Sequence, residues 1–552
     1  MSNTPLLEVE KLQIKNGNQA LVQDLSYSLN AGETLGLVGE SGSGKTLSTL
    51  ALMGLLAPNL KVQGQLKFKG RDLSSYQSSD WTKIRGKEIA MVFQEPMSAL
   101  NPSMKCGMQV AEMLQNHGQK EGVKASVLEL FEKVELPRIT EIYNSYPHQL
   151  SGGQKQRVVI AMAIANNPSL LIADEPTTAL DVSVQASILK LLSKLQSEFG
   201  MALIFISHDL GVVRDIADRV MVMYHGELKE SGPTKEVFEQ AKDPYTKGLL
   251  ACRPNPDTHY KRLPLVQDFI LGHVQDLEQV SPRQKEKQAQ MKTKQSPILK
   301  IKGLAKVYRS KSGIFGKAKE LKAVDDVSFQ IFKGESLGLV GESGSGKSTI
   351  GRILVGLEKL NAGSLEFEDQ LLSDLKNSDW RKLNRSIQII FQDPFGSLNP
   401  RLTAGESIAE VLRENGHLSK ADARERALEL LEKVGLLRDY AARYPHEFSG
   451  GQRQRIGIAR ALAMSPKVLV CDESVSALDV SVQAQILNLL NDLKEEFDFT
   501  YLFISHDLQV VRYFCDRVIV LKDGKLVEEG YAESLFRNPQ QDYTANLIAN
   551  QH

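Results

Sequence analysis

Gly39-Glu-Ser-Gly-Ser-Gly-Lys45 recurs unchanged as Gly341-Glu-Ser-Gly-Ser-Gly-Lys347, 302 positions later in the same chain. Four further marks then follow in the same order in both halves, each displaced by 298 positions. In the first half these marks are Phe93-Gln-Glu-Pro, Ser151-Gly-Gly-Gln, Asp174-Glu and Ile206-Ser-His-Asp. Because similarity at a fixed distance indicates a duplicated structural unit, the sequence predicts two copies of one fold.

The length of the chain agrees with two copies. A chain of 552 residues is too long for one hydrophobic core and accommodates two domains with a connector. Residues 273–297 are polar, mixed in charge and poor in large apolar side chains, as a linker is. We therefore expect a first domain with a C-terminal extension over 1–272, a linker over 273–297, and a second domain with a short extension over 298–552.

Composition argues against several classes of protein. Lys and Arg together number 67, as do Asp and Glu, so a basic nucleic-acid binder is not indicated. No apolar run approaches the roughly 20 residues that span a bilayer, and the N-terminus lacks the pattern of a secretory signal. The four cysteines lie far apart and predict neither a disulfide framework nor a zinc site: Cys106, Cys252, Cys471 and Cys515. A reducing, cytoplasmic compartment fits best.

The repeated glycine-rich stretch has the context of a phosphate-binding loop. The apolar runs Thr34–Val38 and Ser336–Val340 predict strands leading into it, and helix-compatible sequence follows each lysine. In such a loop the backbone N–H groups surround phosphate oxygens, the lysine reaches the β- and γ-phosphates, and the next hydroxyl ligates Mg²⁺. A simple turn is the alternative. The predicted phosphate and Mg²⁺ residues are Gly39, Ser41, Gly42, Gly44, Lys45 and Thr46, with Gly341, Ser343, Gly344, Gly346, Lys347 and Ser348.

Paired acids follow a buried-strand pattern in each half. Asp174 and Glu175 end the run that begins at Leu170, and Asp472 and Glu473 end the corresponding run. Carboxylates at the C-terminal edge of a parallel sheet lie where ligands bind. We predict that each aspartate holds Mg²⁺ and that each glutamate polarises the attacking water, although alone such acids could equally cap helices.

The Ser-Gly-Gly-Gln marks precede long helical patterns. A serine and glycines at a helix N-terminus suit an anion, but taken singly a plain helix cap is the better interpretation. The residues concerned are Ser151, Gly153 and Gln154, and Ser449, Gly451 and Gln452.

The order of these motifs resembles the nucleotide-binding domains of ABC transporters over nearly the whole chain. The resemblance implies an α/β fold of two P-loop NTPase cassettes, each with a RecA-like core, an antiparallel β subdomain and a helical subdomain. It implies ATP and Mg²⁺ as ligands and two head-to-tail composite sites, Lys45 with Ser449 and Gly451, and Lys347 with Ser151 and Gly153. It further implies that His208 and His506 contact the γ-phosphate, that Gln94 and Gln392 sense Mg²⁺ and a membrane partner, that Asp181 and Asp479 sit across the interface, and that Tyr308 stacks on adenine.

Two features narrow the resemblance to the dipeptide, oligopeptide and nickel importer ATPases, with fused two-cassette transporters of microcin C type among them. The first is the extended Gln loop that begins at Phe93 and again at Phe391. The second is the C-terminal Pro-Tyr-Thr segment, Asp243–Leu250 and Asp542–Ile548; an ordinary amphipathic tail is its alternative. The resemblance implies two permease subunits, an extracytoplasmic solute-binding protein and a peripheral position on the cytoplasmic face of the bacterial plasma membrane.

The sequence departs from the family pattern in three places. Residues 13–17 offer no aromatic residue where the second half has Tyr308, Ser474 replaces Pro176 beside the catalytic acid, and Cys252 stands apart from any cysteine cluster, so we predict no iron–sulfur centre. A soluble tandem cassette of the ABC-F type is the alternative function. The short connector with Pro282 and Pro297 and the neutral net charge speak against that alternative.

Overall fold

The computed structural model describes residues 4–93, 99–177, 182–255, 258, 260–274, 277–311, 318–372, 377–393, 396–416, 418–476 and 478–549. The chain divides into two compact units. The first comprises residues 1–250 and 266–272, and the second comprises residues 251–265 and 273–551. Residues 251–265, which the sequence places with the first domain, are thus grouped with the second unit.

The first unit is built on two sheets. A six-stranded sheet has its strands in the order Glu227–Pro233, Arg219–Tyr224, Thr34–Val38, Ala202–Ile206, Leu170–Asp174 and Ile89–Val92, parallel apart from the first pair. An antiparallel sheet has the order Gln19–Leu29, Leu7–Asn16, Leu60–Phe68 and Arg71–Asp72. The strand before the P-loop is therefore central in the parallel sheet, where it is buried on both faces, as its uninterrupted apolar sequence predicts.

Helices of the first unit cover the parallel sheet and form a separate helical layer. The helices are Lys45–Leu52, Ser78–Ile84, Cys106–Asn116, Val123–Lys133, Ile139–Asn144, Gly152–Ile164, Val182–Phe199, Leu210–Ile216, Thr234–Glu239, Pro244–Ala251 and Val266–Leu271, with a 3₁₀ turn at Pro147–Gln149. Val127, Phe131 and Val134 form the buried side of the helical layer, since all three are fully buried. Gly107 is required there because a Cβ would lie 2.2 Å from the Tyr143 ring.

The second unit repeats this arrangement strand for strand. Its parallel sheet has the order Ile387–Ile390, Val468–Asp472, Thr500–Ile504, Ser336–Val340, Arg517–Lys522 and Lys525–Tyr531, the last strand antiparallel, and its antiparallel sheet has the order Ala318–Phe332, Pro297–Lys311, Ala362–Phe367 and Gln370–Leu371. The helices are Pro282–Lys292, Lys347–Leu354, Asn377–Ser386, Ala404–Gly416, Lys420–Lys433, Gly450–Leu462, Val480–Phe497, Leu508–Phe514, Ala532–Arg537 and Asp542–Ala549, with 3₁₀ turns at Arg438–Ala442 and Pro445–Glu447. The predicted parallel core, antiparallel β subdomain and helical subdomain are thus confirmed in both units.

One apolar core in each unit joins the two sheets. In the first unit Leu7 and Leu29 of the antiparallel sheet pack in the same cluster as Leu37 and Ile204 of the parallel sheet and Leu52 of the helix after the P-loop. The second unit has the equivalent cluster. Because the P-loop lies between a buried strand and a helix anchored in this core, the fold holds the loop at both of its ends.

The predicted linker contains a packed helix. Ser281 caps the helix Pro282–Lys292 in a capping box with Gln284, and Pro282 takes the first helical position, where its missing N–H costs no hydrogen bond. The helix lies on the second unit, since Lys292 pairs with Asp516 at 2.9 Å and Ala289 is 1% exposed. The polar composition of this stretch predicts no such packing.

None of the helices in the described part of the chain combines the length and the apolar character that a bilayer crossing requires.

Candidate functional site

The glycines of each P-loop have conformations that other residues rarely adopt. Gly39 has φ 145° and Gly341 has φ 147°, and Gly44 and Gly346 begin their helices at φ 98° and 101°. A Cβ at Gly39 would lie 2.1 Å from the carbonyl oxygen of Met223, so the loop tolerates no side chain there. The loop is therefore shaped with its backbone close to the neighbouring strand, while Ser41 and Gly42 lie exposed at its rim, as do Ser343 and Gly344 in the second unit.

The P-loop lysines lie across their own loops. Lys45 Nζ donates to the carbonyl oxygens of Gly39 and Glu40, both at 2.8 Å. Lys347 Nζ donates to those of Gly341 at 2.7 Å and Glu342 at 2.8 Å. Both lysines are more than 90% buried, so the loop carbonyls hold each ammonium group within its own loop.

A hydroxyl and a carboxylate meet at the end of each P-loop. Thr46 Oγ1 donates to Asp174 Oδ1 at 3.2 Å, and Ser348 Oγ donates to Asp472 Oδ1 at 2.8 Å. Burial raises the pKa of Asp174 to about 6, with the neighbouring Glu175 adding to that rise against the opposing effects of Thr46 and Lys45. Burial likewise raises the pKa of Asp472. Two oxygen donors, one of them a carboxylate whose charge the protein leaves poorly compensated, fit Mg²⁺.

The glutamates have a strained backbone just beyond their strands. Glu175 and Glu473 each have φ 47°, in the left-handed region, and each backbone N–H donates at 2.9 Å to an isoleucine of the adjacent strand, Ile206 or Ile504. A non-glycine residue held in this region costs on the order of 1–3 kcal/mol and typically marks a functional site. Replacement of Pro176 by Ser474 leaves this conformation unchanged.

Each glutamate faces the predicted histidine of its own unit. His208 Nδ1 lies 3.3 Å from Glu175 Oε1, and His506 Nδ1 lies 3.4 Å from Glu473 Oε2. Burial alone would raise the pKa of Glu473, but the hydrogen bond and charge of His506 outweigh burial and lower it. The same pairing raises the pKa of His506 against the opposing effect of burial. The glutamate is thus held as a carboxylate, the form that a general base needs.

The Gln loop can be followed in the second unit. Gln392 is exposed, and its Nε2 donates to Glu473 Oε2 at 2.8 Å, so the predicted glutamine reaches the predicted general base. Gln94, the predicted counterpart of Gln392, and Asp181, predicted to sit across the interface, lie outside the described residues.

The Ser-Gly-Gly-Gln residues form helix caps. Ser151 Oγ accepts from the Gln154 N–H at 3.3 Å, while the Gln154 side chain accepts from the Ser151 N–H at 3.0 Å, and Ser449 and Gln452 repeat both distances. The helices Gly152–Ile164 and Gly450–Leu462 consequently begin three residues earlier than the sequence pattern suggests.

The second glycine of each such motif is set by packing. A Cβ at Gly153 would lie 2.6 Å from Val184 Cγ1, and one at Gly451 would lie 2.3 Å from Val482 Cγ1. Within each unit, the Ser-Gly-Gly-Gln residues therefore serve as a helix cap, and Ser151 and Ser449 are exposed.

Strand register identifies the residue that corresponds to Tyr308. Leu304 pairs with Val327 as Leu12 pairs with Leu25, and four positions further on Tyr308 pairs with Leu321 as Asn16 pairs with Gln19. Lys306 Nζ lies 5.0 Å from the centre of the Tyr308 ring. The first unit therefore has an asparagine, Asn16, where the second has the predicted adenine-stacking tyrosine.

Each P-loop also contacts the end of its cassette, through a residue that the sequence motifs do not single out. The Glu40 N–H donates to the Tyr245 hydroxyl oxygen at 3.1 Å, and the Glu342 N–H donates to that of Tyr543 at 3.4 Å. Their recurrence 298 positions apart, the offset shared by the other motifs, was the signal available.

The cysteines give no sign of a cluster. All four are buried, and in the described part of the chain no three His, Cys, Asp or Glu side chains converge as a metal site would require. The absence of an iron–sulfur centre stays a prediction.

Comparison with known families matches the motif-bearing regions of both units. The model described as "ABC transporter" matches residues 22–178 and again residues 324–476. The model described as "Oligopeptide/dipeptide transporter, C-terminal region" matches residues 230–280.

Two curated relatives extend the similarity to nearly the whole chain. The chain is 46% identical over 540 residues to the glutathione import ATP-binding protein GsiA of Escherichia coli K12, covering 96% of this chain and 86% of the relative. It is 46% identical over 547 residues to GsiA of Shigella flexneri, with the same coverage. Among solved structures, the post-hydrolysis dimer of the ATP-binding cassette MJ0796 with ADP and Pi is 34% identical over 42% of this chain and 98% of that chain, with a TM-score of 0.39.

Proposed function

The chain belongs to the ABC transporter family of ATP-hydrolysing proteins, and from that premise we propose that it energises the import of small peptides or related solutes through separate membrane permeases. The observation that carries the proposal is the identity of 46% with glutathione importer subunits across 96% of the chain. The oligopeptide/dipeptide C-terminal region at 230–280 supports it further. Neither feature favours an ABC-F factor.

In each cassette, the P-loop backbone and its lysine would grip the β- and γ-phosphates of ATP. The hydroxyl and aspartate pair, Thr46 with Asp174 and Ser348 with Asp472, would hold the Mg²⁺, which supplies charge neutralisation between the phosphates when bound. Glu175 and Glu473 would take a proton from the attacking water. His208 and His506 would orient these two glutamates. The 3.2 Å and 2.8 Å hydroxyl–carboxylate distances support the Mg²⁺ assignment.

We infer that the Ser-Gly-Gly-Gln helices complete these sites in the head-to-tail manner of the family. Ser151 with Gly153, and Ser449 with Gly451, would each contact nucleotide held by the P-loop of the other cassette. The exposure of both serines at helix N-termini supports this role, because a helix N-terminus attracts anions. ATP would then favour a closed state and hydrolysis would release it.

The permeases would dock beside the Gln loops. In the second unit a cavity of about 280 Å³ opens next to Phe391 and is lined by Gln388, Ile390, Val411, Gln454, Arg460 and Met464 among others. Phe391 is 39% exposed, Phe93 at the equivalent place is 42% exposed, and Gln454 Nε2 is buried without a hydrogen-bond partner among the described residues. Exposed aromatic residues beside an unsatisfied polar group suit an inserted helix of a partner.

Filling this cavity tests the docking site. A Cβ on Gly457, which lines the cavity, meets no atom within 4 Å, so Gly457→Leu begins its side chain in open space and adds bulk to the cavity. We expect this variant to bind ATP normally and to lose co-purification with the permeases. The control, Glu495→Leu, adds a leucine to an exposed position of the helix Val480–Phe497 and should co-purify as the unchanged chain does.

The import function as a whole is tested by uptake. We propose two permeases and an extracytoplasmic binding protein as partners and a peripheral position on the cytoplasmic face of the plasma membrane. Cells that lack the chain should take up less labelled glutathione or labelled dipeptide, and the chain should restore uptake whereas its Lys45→Ala, Lys347→Ala variant should not. Co-sedimentation with ribosomes, with uptake of both solutes unaffected by deletion, would contradict the proposal.

A further inference from the structure

The C-terminal segment of each cassette returns to its own P-loop. The helices Pro244–Ala251 and Asp542–Ala549 carry Tyr245 and Tyr543 at their starts. Each tyrosine hydroxyl accepts a hydrogen bond from the second residue of the P-loop, Tyr245 from the Glu40 N–H at 3.1 Å and Tyr543 from the Glu342 N–H at 3.4 Å. The same contact therefore forms independently in both units.

That P-loop residue also holds the lysine. The Glu40 carbonyl oxygen accepts from Lys45 Nζ, and the Glu342 carbonyl oxygen accepts from Lys347 Nζ, each at 2.8 Å. The glutamate therefore bonds to two groups. Its N–H donates to the tyrosine hydroxyl, and its carbonyl oxygen accepts from the lysine ammonium group. Fixing the residue by its N–H also fixes the direction in which its carbonyl orients the lysine.

The ring is held more firmly in the first unit than in the second. Tyr245 is 2% exposed, and its ring stacks on Tyr224 with the ring centres 4.1 Å apart. In the second unit Lys522 takes the place of Tyr224, and its Nζ lies 4.7 Å from the centre of the Tyr543 ring. Tyr543 is half-buried. A stacked, enclosed tyrosine has less freedom than one covered by a flexible lysine, in agreement with the shorter of the two hydrogen bonds.

We propose that Tyr245 and Tyr543 are positioning residues for ATP, which set the P-loop lysine through the backbone of the preceding glutamate. This inference rests on the proposed role of Lys45 and Lys347 in binding phosphate. The C-terminal segment thereby tunes nucleotide affinity without touching the nucleotide, and it does so more strongly in the first cassette. If the C-terminal segment only packed against the rest of the cassette, the tyrosine ring would be needed for packing but the hydroxyl would not.

Removing the hydroxyl while keeping the ring separates the two roles. In a Lys347→Ala chain, where the first P-loop alone is intact, Tyr245→Phe should weaken binding of ATPγS with Mg²⁺, measured by titration calorimetry, about fivefold, the value of one buried hydrogen bond. In a Lys45→Ala chain, Tyr543→Phe should weaken it less. In the otherwise unchanged chain, Tyr245→Phe should raise KM for ATP and leave kcat unchanged.

Tyr501→Phe is the matched control. Its hydroxyl is also buried but donates to the Leu490 carbonyl oxygen at 3.0 Å, at the end of the sheet where Tyr501 pairs with Ser336. We expect its loss to leave nucleotide affinity unchanged. If Tyr245→Phe is equally silent while Tyr245→Ala weakens binding, packing of the ring explains the contact and the inference is overturned. If the Lys45→Ala, Lys347→Ala chain still binds ATPγS fully, the proposed function fails instead.

Discussion

At the scale of single residues, the two units reach the same geometry with different neighbours. Glu175 is followed by proline and Glu473 by serine, yet both have φ 47° and both face a histidine at 3.3–3.4 Å. The strain is held by the hydrogen bond from each glutamate N–H to the neighbouring strand. The position of the glutamate that we propose as general base is therefore determined by the sheet rather than by the residue that follows it.

The hydroxyl and aspartate pair predicts a dependence on Mg²⁺. In the Asp174→Asn, Asp472→Asn chain, the carboxylate that we assign to the metal is lost in both cassettes, and an amide compensates a divalent charge poorly. We expect the Mg²⁺ concentration needed for half-maximal ATP binding to rise at least about tenfold, since even outer ligands of metal sites contribute that much. Titration of ATP binding with Mg²⁺ measures the effect.

Asp439→Asn provides the control for that titration. Asp439 lies exposed in a 3₁₀ turn of the second unit, and its neutralisation should leave the Mg²⁺ requirement where it was. An unchanged requirement in the double variant would remove both aspartates from the metal site.

At the scale of helices and strands, prediction succeeded where burial dictates the sequence. The strands Thr34–Val38 and Ser336–Val340 were predicted to the residue, because strands covered on both faces must be apolar throughout. The sequence does not predict the helix Pro282–Lys292, since its lysines pair with acids more than 200 positions away, Lys285 with Glu533 and Lys292 with Asp516. The tyrosine–P-loop contacts and the histidine–glutamate pairs are likewise long-range, and no local pattern specifies them.

Asn488 makes two buried hydrogen bonds to the segment 251–265, which also pairs with the second unit through Arg262 and Asp492. Asn488 Oδ1 accepts from the Leu263 N–H and Asn488 Nδ2 donates to the Leu263 carbonyl oxygen, both at 2.9 Å, with Leu263 2% exposed. Asn488→Ala leaves the buried N–H and C=O of Leu263 without these partners. We therefore expect the free energy of unfolding of the second unit to fall by about 2–3 kcal/mol. Urea unfolding followed by Trp380 fluorescence in a Trp81→Phe background reports on this unit, because these are the two tryptophans of the chain.

The first unit offers a matched control for Asn488. Lys190 occupies the equivalent position and is exposed, so Lys190→Ala should change stability by less than about 0.5 kcal/mol, read from Trp81 in a Trp380→Phe background. Equal effects of the two substitutions would mean that the Asn488 clamp contributes nothing specific.

Asp516 holds the linker helix and predicts a dependence of stability on pH. It accepts from Lys292 Nζ at 2.9 Å, from Lys494 Nζ at 3.1 Å and from the Ser336 N–H at 2.8 Å. Burial alone would raise the pKa of Asp516, but the two lysines and the amide outweigh burial and lower it to about 2. Because the folded pKa lies below the unfolded value, this stabilisation is complete above about pH 4 and is lost as the pH falls towards 2.

Replacing Asp516 tests this assignment. Asp516→Asn leaves two half-buried ammonium groups without their carboxylate and should lower the free energy of unfolding by at most about 3–5 kcal/mol at pH 7, measured by urea unfolding with Trp380 fluorescence. At pH 3.5 the free energies of unfolding of the variant and the unchanged chain should differ by less than they do at pH 7. In the first unit Asp218 accepts from the Thr34 N–H at 2.8 Å but is exposed, so Asp218→Asn should cost only about 1 kcal/mol. A cost for Asp516→Asn that is the same at both pH values would contradict the depressed pKa.

At the scale of the whole molecule, each cassette has its own P-loop, its own hydroxyl–aspartate pair, which we propose holds Mg²⁺, and its own glutamate–histidine pair, whose glutamate we propose as general base. The cassettes differ around this shared machinery. The first cassette has Asn16 at the position equivalent to Tyr308, and Tyr224 at the position equivalent to Lys522. We therefore expect two competent ATP sites that differ in affinity rather than one site and one relic.

The measurement that tests this account most directly is the fate of ATP on the Glu175→Gln, Glu473→Gln chain, incubated with Mg²⁺ and radiolabelled ATP. General-base catalysis contributes about 10²–10⁴-fold, so phosphate release should fall at least about a hundredfold. We predict two ATP molecules bound per chain and recovered unhydrolysed, whereas a Glu239→Gln control, altered at an exposed position, should hydrolyse ATP as the unchanged chain does. Phosphate release at the unchanged rate, or fewer than two ATP molecules bound at saturation, would contradict the account.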